Sequence, residues 1–158
     1  MKSLFAAALL CVATVANAGS FTIGLGENKG TIRKGIGYEV ETKPWANTNF
    51  SLVPTFEIAR LHRLDQNVWQ VSAVPYLRYS WSNGVYADVG IGVSFFNHTQ
   101  LADRNISTAF QFSDNIGIGY RLGPNTTIAY RYSHYSNGGI KRPNPGLDVQ
   151  SLIISHKF

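Results

Sequence analysis

A chain of 158 residues with a formal charge of +5 and a single cysteine, Cys11, suffices for one domain but cannot build a disulfide framework or a thiolate metal centre. Its mild positive balance suits either nucleic acid or an anionic membrane surface. The N-terminus decides between them. Lys2, an apolar run over residues 4–15 and then Ala16-Asn17-Ala18 form the charged, apolar and small-x-small regions of a secretory signal peptide. The run is too short for a spanning helix, which takes about 20 apolar residues. Residues 1–18 are therefore expected to be cleaved, taking Cys11 with them, and residues 19–158 to form the mature domain. A secreted chain meets membrane surfaces rather than nucleic acid.

From residue 20 onward apolar and polar residues alternate with period two, the pattern of strands with one apolar face. Phe21, Ile23 and Leu25 open the series, and Ile36, Tyr38 and Val40 follow. Phe50, Leu52, Pro54, Phe56 and Ile58 make the third segment; Trp69, Val71, Ala73, Pro75, Leu77, Tyr79 and Trp81 make the fourth. Val85 to Phe95, then Phe110 to Arg121, supply the fifth and sixth, and residues 126–136 and 148–158 the last two. Eight such segments of about ten residues predict an all-β, eight-stranded antiparallel transmembrane β-barrel of the bacterial outer membrane.

The connections fit that architecture. Short turns at residues 81–84 and 123–125 alternate with longer loops expected at 27–34, 60–67, 97–105 and 137–147. With both termini periplasmic, the short connections lie inside and the long ones outside. Trp45, Tyr79 and Trp81 then form a periplasmic aromatic girdle, and the terminal Phe158 with Leu152 and Ile154 resembles the C-terminal signature of outer-membrane barrels. The competing architecture is a water-soluble barrel whose apolar face lines a ligand cavity. The opposite face here is small, glycine-rich and charged, which suits a narrow lumen, and a lumen of only eight strands is filled by side chains, which argues against a pore. Glu39, Glu41, Glu57, Arg78, Asp88, Arg121 and Arg131 face inward by alternation, as a paired polar core. Asp114 falls in the lipid-facing phase, where charge is costly; a β-bulge near Ser113 is the device that would turn it inward.

Two further polar residues share the lipid-facing phase of segment seven, His134 and Ser136. Two residues apart on one strand face, their Cα atoms stand roughly 7 Å apart. A histidine can act as general base for a serine hydroxyl when an acid fixes its tautomer. Pairing segment seven with segment eight so that His134 faces Asp148 also places Phe158 opposite Pro124, so one register satisfies both the hairpin ends and a Ser–His–Asp triad. Eleven residues span about 36 Å of strand, roughly 28 Å along the membrane normal at a tilt of about 40°. The three polar groups thus converge on the outer wall at the level of the outer leaflet.

The stretch from His134-Tyr135-Ser136-Asn137-Gly138-Gly139 through Lys141-Arg142-Pro143-Asn144 to Asp148 closely resembles the active-site hairpin of the lipid A 3-O-deacylase (PagL) family. The resemblance implies His134 as base, Ser136 as nucleophile and Asp148 as acid, at a position where a family member carries the longer Glu. It associates Asn137, Gly139 and Asn144 with the oxyanion hole and site geometry. It also implies a serine esterase removing the 3-hydroxyacyl chain ester-linked at the 3-position of lipid A, with no metal or cofactor. Lys141 and Arg142 in the adjoining loop, and Arg60 and Arg63, are candidates for the phosphates of lipid A or lipopolysaccharide. The residues alone leave open an interfacial esterase acting on phospholipid and a non-catalytic structural or adhesive barrel. They also leave open the oligomeric state, a homodimer included.

Overall fold

Strands that are apolar on one face and polar on the other bury both faces only if the sheet closes and its apolar side meets lipid. The computed structural model, which describes residues 19–158, has that form; the signal-peptide reading falls on residues 1–18, outside the described residues. The strands are β1 (Ser20–Asn28), β2 (Thr31–Glu39), β3 (Phe50–Arg63), β4 (Gln66–Ser80), β5 (Val85–Phe96), β6 (Gln100–Leu101), β7 (Arg104–Asn105), β8 (Phe110–Arg121), β9 (Thr126–Ser136) and β10 (Leu147–Lys157). Eight of them close an antiparallel barrel in the order β1-β10-β9-β8-β5-β4-β3-β2, while β6 and β7 pair as a small hairpin within the β5–β8 loop. Closure leaves no unpaired edge.

Alternation decides what faces where. Phe21, Ile23, Ile36, Ile58, Ile91, Ile116 and Ile154 stand exposed on the outer wall. Thr22, Ser51, Ser72, Ser94, Gln111 and Ser151 are buried in the lumen. An aromatic chain runs from Trp45 through Phe50 and Tyr79 to Trp81 at one end of the barrel, with the Phe50–Tyr79 and Tyr79–Trp81 centroids each 4.9 Å apart. The terminal Phe158 stacks on Phe21 at 4.9 Å at that same end.

The expected polar core is present, and Glu41, Glu57, Arg78, Asp88 and Arg121 within it are ion-paired. Arg78 grips Asp88 with two parallel bonds, Nε to Oδ1 at 2.8 Å and Nη2 to Oδ2 at 2.9 Å. Its third nitrogen donates to Glu41 at 3.1 Å, and Arg121 reaches the same carboxylate at 2.9 Å. The Arg78 guanidinium lies 4.0 Å from the centroid of Tyr86, and Arg131 lies 4.2 Å from that of Tyr76. Gly119 makes room for this layer, since a Cβ there would come within 2.2 Å of the Tyr86 ring. Toward the opposite end the lumen turns apolar. Leu61, Val68, Phe96, Leu101, Ile106, Tyr135, Leu147 and Val149 form one buried cluster.

Two expectations are corrected. The connections at 27–34 and 60–67 are not long loops: Lys29-Gly30 and Leu64-Asp65 are two-residue hairpins, with Lys29 at φ 48°, Gly30 at 81° and Leu64 at 50°. Those positive dihedrals match the hairpin turns whose twist suits paired strands. As a result Arg33 belongs to β2 and points inward, donating to Glu57 at 2.8 Å and Gln70 at 2.9 Å. Asp114, whose placement the sequence left open, is not turned inward. The β5–β8 and β8–β9 registers run through it without interruption, so no bulge intervenes and its side chain stays on the outer wall.

Candidate active site

The β9–β10 hairpin pairs His134 with Asp148, and the same register continues to Thr126 with His156, setting Phe158 opposite Pro124. This is the pairing required by the hairpin ends. Residues between the outward ones anchor the hairpin from inside: Tyr135, Leu147 and Val149 all enter the apolar luminal cluster, and Tyr135 meets Phe96 edge to face at 5.7 Å. The strand that presents His134 and Ser136 outward is therefore held by an apolar core on its other side, which limits how far either side chain can wander.

His134 Nδ1 donates to Asp148 Oδ1 at 2.6 Å, both side chains being 40% exposed. A bond to an ionised carboxylate places the proton on Nδ1 and leaves the Nε2 lone pair available. The shorter Asp reaches because its Cα lies directly across the ladder from that of His134. The backbone carbonyl of Asp148 accepts from Asn28 Nδ2 at 2.8 Å, tying the acid to the end of β1. Gly146 backs the imidazole: its φ is +66°, and a Cβ there would stand 2.8 Å from His134 Cε1. Ser136 closes β9 on the same face as His134, half-buried and opposite Phe112. The structure joins His134 to Asp148; it draws no hydrogen bond between the Ser136 hydroxyl and the imidazole.

The loop after Ser136 is organised around Asn137, which is fully buried. Its Nδ2 donates to the Lys141 carbonyl at 2.8 Å, its Oδ1 accepts from the Gly139 N–H at 2.9 Å, and its own N–H donates to Asn144 Oδ1 at 3.1 Å. Of the three residues associated with the oxyanion hole or site geometry, Asn137 and Gly139 thus have these donors engaged in holding the loop. Asn144 keeps its amide nitrogen outside those bonds. Gly138 packs on Phe112, where a Cβ would approach to 2.9 Å. Lys141 and Arg142 are exposed on this loop. Arg60 and Arg63 are not near it: β3 lies four strands from β9 in either direction round the barrel. Arg63 is paired with Asp103, Nη2 to Oδ2 at 3.0 Å.

Asp114 was legible as an anomaly but not as a neighbour of the site. On β8 it pairs directly with His134, so the imidazole has a carboxylate on either side along one rung, Asp114, His134, Asp148. Its phase was the signal.

These features define a class: a transmembrane β-barrel that carries a serine, a histidine and a carboxylate together on its lipid-facing wall. The family model described as "Lipid A 3-O-deacylase (PagL)" matches residues 31–157, and the chain belongs to that family. It is 48% identical over 92 residues to the lipid A deacylase PagL of Bordetella bronchiseptica, covering 58% of this chain and 52% of that protein. Against the lipid A deacylase PagL of Pseudomonas aeruginosa it is 37% identical over 68 residues, covering 43% and 39%. The chain thus spans about half the length, or less, of the curated relatives it matches. The solved structure of "the outer membrane enzyme PagL" superposes with a TM-score of 0.81 over 88% of this chain and 99% of that one, at 23% identity, which speaks for a shared fold.

Proposed function

We propose that this protein is an outer-membrane serine esterase that hydrolyses the 3-hydroxyacyl chain ester-linked at the 3-position of lipid A in the outer leaflet. The observation that carries the reading is the His134–Asp148 bond at 2.6 Å on the lipid-facing wall, with Ser136 on the same face of the same strand. Family membership supplies the substrate class. Residues 1–18 serve as the export signal in this reading.

His134, with Nδ1 held by Asp148, takes the Ser136 hydroxyl proton on Nε2 as Oγ attacks the ester carbonyl. Two donors at the loop are suited to the oxyanion, Asn144 Nδ2 and the Gly138 N–H, because those of Asn137 and Gly139 already brace the loop. Such preorganised donors are usually the largest single catalytic contribution. His134 then protonates the departing sugar oxygen, and water, activated by the same imidazole, releases the fatty acid from Ser136. Lys141 and Arg142 lie on the loop beside the serine, placed to meet a phosphate of the glucosamine headgroup.

Mass spectrometry of lipid A from membranes carrying the parent chain or Ser136→Ala tests this directly. Loss of one 3-hydroxyacyl chain with the parent alone is the expected result. Intact lipid A in both, with folded barrel and with purified lipid A also untouched, would sink the reading, and release of fatty acid from phospholipid would replace it.

A further inference from the structure

The two hairpins that proved tight bring a group of cations onto the outer wall on the side away from Ser136. On β2 and β3 the outward residues pair as rungs: Ile32 with His62, Lys34 with Arg60, Ile36 with Ile58, and Tyr38 with Phe56. Lys34 and Arg60 are thus like charges directly opposite each other on a sheet, an arrangement that is destabilising unless something answers it. Asn67 on β4 holds two of the group in place, its Oδ1 accepting from Arg60 Nε at 2.8 Å and meeting His62 Nδ1 at 3.0 Å. Ile32, Lys34, Arg60, His62 and Asn67 line one hollow of about 270 Å³. The carboxylate on the adjoining rung, Glu27, is turned onto the N–H of Gly30 in the turn, accepting at 2.9 Å.

One rung further from the turns the wall becomes wholly apolar. Phe21, Ile23, Ile36, Tyr38, Phe56, Ile58 and Val71 border a groove of about 500 Å³. Cations above an acyl-sized groove, on a surface whose only solvent is lipid, suit an anionic headgroup over its chains. Each Lys or Arg at such a level attracts lipid phosphate. Since β3 lies four strands from β9 either way, about 19 Å of curved wall at the usual strand spacing separates this cluster from the triad. A substrate seated at Ser136 does not reach it.

Building on the proposed function, which sets this end of the barrel in the outer leaflet, we infer that Lys34, Arg60 and His62 form a second, non-catalytic lipid A site. Its ligand is the phosphorylated glucosamine headgroup, with one acyl chain in the Ile36–Ile58 groove. The barrel therefore holds one lipid A at the triad and another on its opposite wall.

The test is native mass spectrometry of Ser136→Ala barrels, which cannot consume lipid, titrated with bisphosphorylated lipid A, dephosphorylated lipid A or phosphatidylglycerol. Two bisphosphorylated molecules should be retained per barrel, and the dephosphorylated form should fill one site only. Adding K34Q/R60Q should weaken the second binding event about thirty-fold, the effect of removing two surface cations. Heat-modifiable migration on gels confirms the fold, and Lys34→Gln alone serves if the double variant does not assemble. Unchanged retention in K34Q/R60Q, or phosphatidylglycerol displacing lipid A from the second site at equal concentration, would overturn the proposal. With Ser136 intact, K34Q/R60Q should deacylate lipid A within about two-fold of the parent, as expected for distant sites. A parent chain that fails to deacylate while still retaining the second lipid would remove the esterase reading and leave this site standing.

Discussion

Asp148 and Asp114 flank His134 on one rung, yet only Asp148 is bonded to the imidazole Nδ1. The two carboxylates should therefore differ sharply on substitution. Asp148→Asn keeps the shape but presents the wrong hydrogen-bond partner to the ring, and deacylation should fall by about ten-thousand-fold, as when a triad acid is so replaced. Asp114→Asn should lose far less; steady-state kinetics on purified lipid A in detergent compares the two. Gly146 supplies a second contrast. Gly146→Ala demands both a left-handed backbone and space occupied by His134 Cε1, and the ring will yield before the strand does. Deacylation should drop by about a hundred-fold, the consequence of a 1 Å misplacement, while heat-modifiable migration stays normal. Several residues that support the proposed triad were not visible in advance in the way its three members were. His134, Ser136 and Asp148 announced themselves as polar residues in an apolar phase, whereas Gly146, Asn28 and Phe112 act only through three-dimensional neighbours.

The strands were readable because a lipid-facing wall imposes strict alternation, and the hairpin register followed from matching its two ends. The reading failed where alternation fades. In residues 31–34 and 60–63 both faces of the strand carry polar side chains, so strand and loop look alike, and Leu64 gives no turn signal although it adopts φ 50°. The sequence left Asp114 open between a costly lipid-facing charge and a bulge that would turn it inward; the uninterrupted ladder shows that the strand keeps its register and bears the charge outward. One loop feature makes its own prediction. Arg63 reaches from the end of β3 to Asp103, between β6 and β7, and its guanidinium holds that carboxyl below the ordinary Asp value of 3.8. A depressed folded-state value means the contact is intact above the ordinary Asp range, survives acidification through it, and is lost only at lower pH. Protection of residues 97–109 from hydrogen exchange, corrected for the intrinsic rate, should persist through the ordinary Asp range and fall only below it, and Arg63→Gln should abolish the transition.

At the scale of the barrel, rigidity comes from a lumen built in two layers, ion pairs toward the aromatic end and apolar side chains behind the strand that carries His134 and Ser136. Arg78 joins Asp88, Glu41 and Tyr86 in the first layer, all within the wall's interior. Asp88→Ala leaves a buried guanidinium without its bidentate partner and should destabilise the barrel by about 3–5 kcal/mol, read from urea unfolding in lipid vesicles. The second layer has a different consequence, because it fills the space behind Ser136 and leaves the wall as the route to the serine. In the proposed reaction an ester arrives there only by drifting sideways within the same sheet of lipid. Turnover in such a system is governed by how crowded that sheet is with ester, not by how much of it a flask contains. Adding inert detergent at fixed total substrate will slow each molecule of protein, and packing the leaflet more tightly will hurry it. The barrel's closed interior has turned a problem of binding from solution into one of traffic in two dimensions.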